Sequence, residues 1–109
     1  MDRRQERVAK NEARHRELNE EIEESYEWHP DDTFMDVVCE CGIADCDVFL
    51  RVTKAEYEDI RADAQKFILF REHLNLDADE IVSQGDRFTV VAKRQGEPAE
   101  IARQTDPRG

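Results

Sequence analysis

The pattern of apolar and polar residues predicts a long helix at the start of the chain. Residues 2–27 contain no glycine or proline and are rich in Glu, Arg and Ala, which favours a helix. Its apolar positions are sparse, and one stripe consists of Val8, Leu18, Ile22 and Tyr26, with Asn11 and His15 between them. Arginines near its beginning and glutamates near its end oppose the helix dipole. We therefore expect its carboxyl-terminal half to pack on the domain or on a second copy of the chain.

A first hairpin should follow this helix. Pro30 disfavours helical geometry at the residue before it, and the next two aspartates suit a turn. Residues 34–41 and 48–52 are rich in β-branched and aromatic side chains, and they flank a bend that contains Gly42. This pattern predicts two antiparallel strands.

A second helix is predicted directly after the hairpin. Thr53 and Glu56 have the spacing of a capping box, and an apolar helical face that includes Tyr57 continues to about residue 64. Residues 67–70 form a short apolar run that we expect to be buried.

The pattern then predicts a second hairpin and a polar tail. The pattern predicts strands at residues 80–84 and 87–93, on either side of Gly85-Asp86, which suits a two-residue turn. From residue 94 onward the chain is polar, with two glycines and two prolines, so we expect it to stay flexible. The predicted fold is α+β, in three segments: an N-terminal helix, 1–27; an α+β domain, 28–93; a flexible C-terminal tail, 94–109.

Composition narrows the class of protein. The 109 residues suffice for one small domain, and 39% apolar content allows only a modest core. The chain shows no apolar run of about 18 residues, which a membrane span requires, and we expect no secretory leader. We expect a cytoplasmic, soluble protein with no membrane partner.

The net charge of −11 is unevenly distributed. Twelve acidic residues and no Lys or Arg lie between residues 17 and 50, whereas residues 1–16 carry six basic residues. An acidic belt of this kind repels phosphate backbones, so nucleic acid is not expected as the main ligand. The acidic belt either keeps the protein soluble or binds a protein partner with a basic or amphipathic surface. A homodimer through the N-terminal helix is a further alternative.

The cysteines carry the strongest chemical signal. All three of them, Cys39, Cys41 and Cys46, fall within eight positions at the bend of the first hairpin. Side chains alternate along a strand, so Cys39 and Cys41 share a face while Glu40 points away, and a four-residue bend can return Cys46 beside them. An odd number of cysteines in a reducing compartment favours metal binding over a disulfide framework. The pattern predicts a zinc-knuckle hairpin.

Zinc requires a fourth ligand, and a histidine commonly completes a set of three thiolates. His73 is the preferred candidate because it follows the buried run 67–70, where the chain can fold back on the hairpin. His29 is the rival, ten residues before Cys39. A carboxylate or a water molecule is a third option.

Two other chemistries are less well supported. A reactive thiol needs cations nearby, whereas Glu40, Asp45 and Asp47 should raise the pKa of a free thiol by charge repulsion. A thiol/zinc redox sensor is therefore the alternative to a structural site. A metal-dependent enzyme is less favoured, because three thiolates and His73 would leave no open coordination position.

Several motifs spread over nearly the full length of the chain carry a resemblance: Met1 to Glu12, Leu18-Asn19-Glu20, Cys39-Glu40-Cys41-Gly42 with Cys46, Ala55 to Glu58, Arg61-Ala62-Asp63, His73, Arg87 to Lys93 and Ala99 to Arg103. With these motifs the chain resembles a family of small, mostly actinobacterial proteins with a CxC…C plus His pattern. In similar sequences a Gly-His pair tends to stand where this chain has Glu72-His73. The resemblance implies a metal-binding pattern that includes the histidine, and no particular activity. We expect a non-enzymatic zinc-binding module that acts through protein contacts.

Overall fold

The structure, a computed structural model, describes residues 3–109, and in that range it contains three α-helices and two small antiparallel sheets. The elements in chain order are α1 (Arg3–Glu24), β1 (Phe34–Val38), β2 (Phe49–Thr53), α2 (Lys54–Arg61), β3 (Lys66–Leu69), a 3₁₀ turn (Arg71–His73), β4 (Asp79–Gln84), β5 (Thr89–Lys93) and α3 (Glu97–Gln104). The predicted α+β class, with an N-terminal helix and two hairpins, is confirmed.

The first sheet is the hairpin of β1 and β2. Phe34 pairs with Thr53 and Val38 pairs with Phe49, so alternate residues share a face. One face is buried and includes Met35 and Val52, which are at most 1% exposed. The predicted capping box at the start of α2 is present, because the Thr53 side chain accepts from the Glu56 backbone and the Glu56 side chain accepts from the Thr53 backbone.

The second sheet has the order β3-β5-β4, and all its pairs are antiparallel. The apolar run at 67–70 supplies most of β3, in which Phe67, Ile68 and Leu69 are buried. Phe70, which we also expected to be buried, follows the strand and is 38% exposed. The β4–β5 turn lies at Asp86-Arg87, one residue later than predicted, because the Gly85 N–H donates to the Phe88 carbonyl and extends the ladder.

The face that α1 buries is more polar than predicted but keeps most of the predicted stripe: His15 is buried, and Ile22 and Tyr26 pack against the core. Leu18 is 41% exposed, whereas the buried residues of α1 are Glu12, His15, Arg16, Asn19 and Glu23. Polar side chains occupy this face because their partners are ions and backbone carbonyls on other elements. For example, the Arg16 guanidinium lies over the Phe67 ring and donates to the carbonyl oxygens of Ala64 and Ala102.

The prediction that the C-terminal tail is flexible is wrong. Gly96 adopts a φ of +102°, which favours glycine, and Pro98 lies in the first turn of α3. Two small residues of α3, Ala99 and Ala102, are buried. After the helix, charged side chains complete the docking: Asp106 pairs with Arg61, and Arg108 pairs with Glu20, Glu23 and Glu58. The prediction failed because these partners are distant in sequence.

Candidate metal centre

Residues 39–46, here called the metal loop, continue the first hairpin beyond β1. The Cys39 N–H donates to the Val48 carbonyl at 3.0 Å, so the backbone pairing of the hairpin continues one residue beyond β1. The chain then bends through a turn in which the Cys46 N–H donates to the Ile43 carbonyl at 3.2 Å. Cys39 and Cys41 are buried, and Cys46 is partly buried.

Glu40 points away from the thiol face, as strand alternation predicts, and anchors the loop to the core. Its side chain is fully buried and accepts hydrogen bonds from Asn19 Nδ2 at 2.9 Å, Tyr57 Oη at 2.8 Å and the Ile68 N–H at 3.1 Å. The Glu40 N–H in turn donates to the Ile68 carbonyl at 2.8 Å. Burial raises the pKa of the Glu40 carboxyl, and these hydrogen bonds act in the opposite direction. The loop is thus tied to β3, which leads directly to His73.

The 3₁₀ turn after β3 delivers His73 to the thiols. The Phe70 N–H donates to Cys39 Sγ at 3.1 Å, and the Phe70 ring packs edge-on against the His73 ring with 5.3 Å between their centroids. His73 Nδ1 lies 3.6 Å from Cys39 Sγ and 3.5 Å from Cys46 Sγ.

These separations fit a tetrahedral metal site. Within the described residues, the ligand atoms of Cys39, Cys41, Cys46 and His73 all lie within 4.8 Å of one another. Zinc–sulfur bonds of about 2.3 Å and zinc–nitrogen bonds of about 2.05 Å at the tetrahedral angle place sulfur and nitrogen about 3.6 Å apart. The two observed His73 distances match this value, so the four residues could hold a metal ion.

The thiols influence one another's ionisation more than the acidic neighbours do. The Cys39 thiol hydrogen-bonds to Cys41, which lowers the pKa of Cys41 to about 5 and raises that of Cys39, with burial adding to the rise. Burial is the main cause of the raised pKa of Cys46. The neighbouring carboxylates, which we expected to raise the pKa of a free thiol, are not among the main causes of these shifts. Glu40 points elsewhere, and Asp45 is exposed.

The rival ligand, His29, does not join this group. It is exposed, and its ring lies against Tyr26 with 5.1 Å between centroids. A different histidine contacts the loop from outside: His15 is 4% exposed, and its Nδ1 lies 2.7 Å from the Cys41 carbonyl oxygen. A carbonyl oxygen can only accept, so Nδ1 carries the proton. In the sequence, the only indication of this contact was that polar residues, His15 among them, interrupt the apolar stripe of α1.

A cleft of about 550 Å³ borders the loop between α1, α3 and the His73 segment. On one side lies Lys93, whose Nζ is 2.6 Å from Asp79 Oδ1 and also bonds Glu12. Burial opposes the charge on Lys93, but the two carboxylates outweigh it and raise the pKa of its ammonium group. Lys93, Glu12 and Asp79 are paired with one another, so the cleft offers no unpaired ion among them to a ligand.

The sequence matches no protein-family model, and neither the curated proteins nor the solved structures include a significant match. The resemblance to actinobacterial proteins therefore stays an expectation. In the described part of the chain, no helix combines the length and the apolar character needed to span a bilayer.

Proposed function

We propose that this protein is a small cytoplasmic zinc-binding module in which Cys39, Cys41, Cys46 and His73 hold one structural zinc ion. The observation that carries the proposal is the convergence of these four ligand atoms within 4.8 Å from two separate segments of the chain. Three sulfurs and one imidazole nitrogen form a soft set that suits zinc and closes its tetrahedral sphere. A closed sphere favours a structural role over a catalytic one.

Metal analysis of the purified protein tests the proposal. We expect one zinc per chain, and we expect Co²⁺ substitution to give the sulfur-to-metal charge-transfer bands and the d–d bands of a tetrahedral site. His73→Ala should weaken binding strongly, whereas the matched variant His29→Ala should not. Substoichiometric metal in protein purified without chelators would refute the site. Loss of zinc only in His29→Ala would refute the choice of ligand.

Metal removal should destabilise the domain. Binding free energies of about 10 kcal/mol for structural zinc are comparable to the whole stability of a domain of this size, about 5–15 kcal/mol. Thermal unfolding after chelation should therefore shift to much lower temperature, and re-addition of Zn²⁺ should restore it. An unchanged melting temperature, with metal removal verified by elemental analysis, would contradict a structural role.

The module is proposed to act through contacts with a basic or amphipathic protein surface. Supporting this, Glu21 and Glu24 of α1 are exposed, and the described part of the belt 17–50 lacks basic residues. Glu20 and Glu23 are not part of this free surface, because Arg61 and Arg108 engage them. Leu18 of α1 is also exposed. A homodimer through this helix stays a prediction.

Salt dependence separates the possible ligands of this surface. Partner binding should weaken between 50 and 500 mM salt, since exposed charges are screened beyond about 10 Å at 0.1 M ionic strength. The variant with Glu21→Gln and Glu24→Gln should bind less, whereas Asp59→Asn with Asp86→Asn, also exposed, should not. Recovery of nucleic acid as the main ligand, or equal effects of both variants, would contradict the proposal. Light scattering decides whether the chain is dimeric.

A thiol/zinc redox sensor is the second candidate. It is favoured by the partial burial of Cys46, which leaves one sulfur of the cluster more accessible than the other two. In this role, two thiolates would lose two electrons to a peroxide, form a disulfide and release the metal. Rapid, reversible zinc release by micromolar peroxide would favour the sensor. Retention of zinc under the same conditions would favour the structural site.

A further inference from the structure

One face of α1 forms hydrogen bonds with the backbone around the cysteines. Asn11 Nδ2 donates to the Gly42 carbonyl at 3.0 Å, and His15 Nδ1 donates to the Cys41 carbonyl at 2.7 Å. Asn19 pairs with both backbone groups of the residue before Cys39: Nδ2 lies 2.8 Å from the Val38 carbonyl, and Oδ1 lies 2.7 Å from the Val38 N–H. Four hydrogen bonds thus connect three side chains of α1 to the backbone of residues 38–42.

The spacing of these residues explains how one helix can make all the contacts. Positions 11, 15 and 19 are four residues apart and therefore lie above one another on the same face of an α-helix. One turn earlier, Val8 packs against Gly42, where a Cβ would come within 2.4 Å of Val8 Cγ1. The helix therefore lies directly against the backbone of the loop, along the segment that carries Cys39 and Cys41.

We propose that Asn11, His15 and Asn19 are positioning residues for the metal. They hold the backbone of residues 38–42 in the conformation that directs Cys39 and Cys41 toward Cys46 and His73. This inference rests on the proposed zinc site, but it assigns a role to residues that donate no ligand atom.

The coupling between helix docking and metal binding is reciprocal. The docking face of α1 is largely polar, so the helix depends on correctly placed partners for its position. The metal supplies this placement by fixing the loop, and the docked helix stabilises the loop geometry that the metal selects. By linkage, whatever α1 adds to zinc affinity, zinc adds to the docking of α1. Groups that support ligands from outside the coordination sphere typically change metal affinity by about 10–100-fold.

Zinc affinity, measured by competition with a chromophoric chelator, tests the role directly. His15→Phe keeps a ring but removes the donor, and Asn11→Ala removes the second donor; each should weaken Zn²⁺ binding about five-fold or more. His15→Gln, which retains an N–H donor, should recover part of the loss. Arg14→Ala and Glu17→Ala, at exposed positions on the same helix, should stay within about two-fold of wild type.

A thermodynamic cycle separates positioning from simple structural support. His15→Phe should increase the unfolding equilibrium constant both with and without Zn²⁺. The factor of increase should be several-fold larger when Zn²⁺ is bound. Hydrogen exchange should show that zinc removal accelerates exchange in α1 more than in the β3–β5 ladder.

Three outcomes are distinguishable. If the protein binds no zinc, the proposed function itself fails. If zinc binds but the His15 and Asn11 variants keep wild-type affinity, or if their destabilisation is the same with and without zinc, the positioning role is overturned and the zinc site stands. Weaker zinc binding in these variants together with zinc-dependent protection of α1 supports the role.

Discussion

Replacement of Gly42 by alanine tests the contact between α1 and the metal loop. An added Cβ would lie 2.4 Å from Val8 Cγ1 and 3.1 Å from Val8 Cβ, whereas carbon atoms in contact normally lie about 3.5–4.0 Å apart. The described residues with positive φ are Gly96 and Gly109. Alanine at position 42 is therefore opposed by the lack of space and not by its backbone conformation.

The expected cost follows from the contacts that must move. To relieve the overlap, α1 and the loop must separate by about 1 Å, and overpacking of this kind costs about 1–3 kcal/mol. The same shift would lengthen the bonds from Asn11 to Gly42 and from His15 to Cys41 beyond 3.5 Å, and a net loss of about 1 kcal/mol for each is usual. We expect Gly42→Ala to lower the free energy of unfolding by about 3–5 kcal/mol in total.

Urea unfolding of the zinc-loaded protein measures this cost, and a double-mutant cycle identifies its cause. Val8→Ala removes the nearest clashing atom, so Gly42→Ala should cost at least about 1 kcal/mol less in that background. Gly85→Ala is the matched control: its Cβ would meet only the Phe88 carbonyl, at 3.6 Å, and we expect a change under about 0.5 kcal/mol. An equal cost of Gly42→Ala in both backgrounds would refute the assigned contact.

Two further predictions concern charged groups around the C-terminal segment. Burial and a hydrogen bond with Glu58 raise the pKa of Glu23 to about 8, so between about pH 4.5 and 8 the folded state retains this proton more strongly than the unfolded state. The free energy of unfolding should therefore fall as pH rises through that window. In urea unfolding across pH, Glu23→Gln should flatten this slope and raise the free energy of unfolding by about 1 kcal/mol at pH 8. Asp106→Asn should lower the free energy of unfolding by about 2 kcal/mol, because it leaves the fully buried Arg61 side chain with a weaker partner. Arg103→Gln, which removes an exposed pair, should lower it by under about 0.5 kcal/mol in the same assay. Equal effects of the two variants would show that the tail does not dock as described.

The elements that the sequence predicted well are those encoded by neighbouring residues. The capping box needs only Thr53 and Glu56, and the strands are marked by short runs rich in β-branched and aromatic residues. The convergence of Cys39 and Cys41 follows from the alternation of side chains along an extended segment. The choice of His73 rested on its position after the apolar run at 67–70, where the chain can fold back on the hairpin.

The polar contacts between distant segments could not be predicted in the same way. The sequence shows that Asn11 and His15 interrupt an apolar stripe, but it does not show that their partners are the Gly42 and Cys41 carbonyls. Backbone carbonyls are present at every residue, so residue type does not identify which of them a donor will meet. Ordinary rules for amphipathic helices also placed Leu18 on the buried face of α1, although its side chain is exposed.

The sequence by itself determined the secondary structure of the centre of the chain and a candidate ligand set of soft donors, because strand alternation, capping and metal preference depend on residue type and short spacing. Only the tertiary structure decided how the two ends of the chain pack. Docking of α1 depends on backbone groups of the metal loop, and docking of α3 depends on ions such as Arg61, which lies 45 residues before Asp106. These energies arise between groups that only the complete fold brings together.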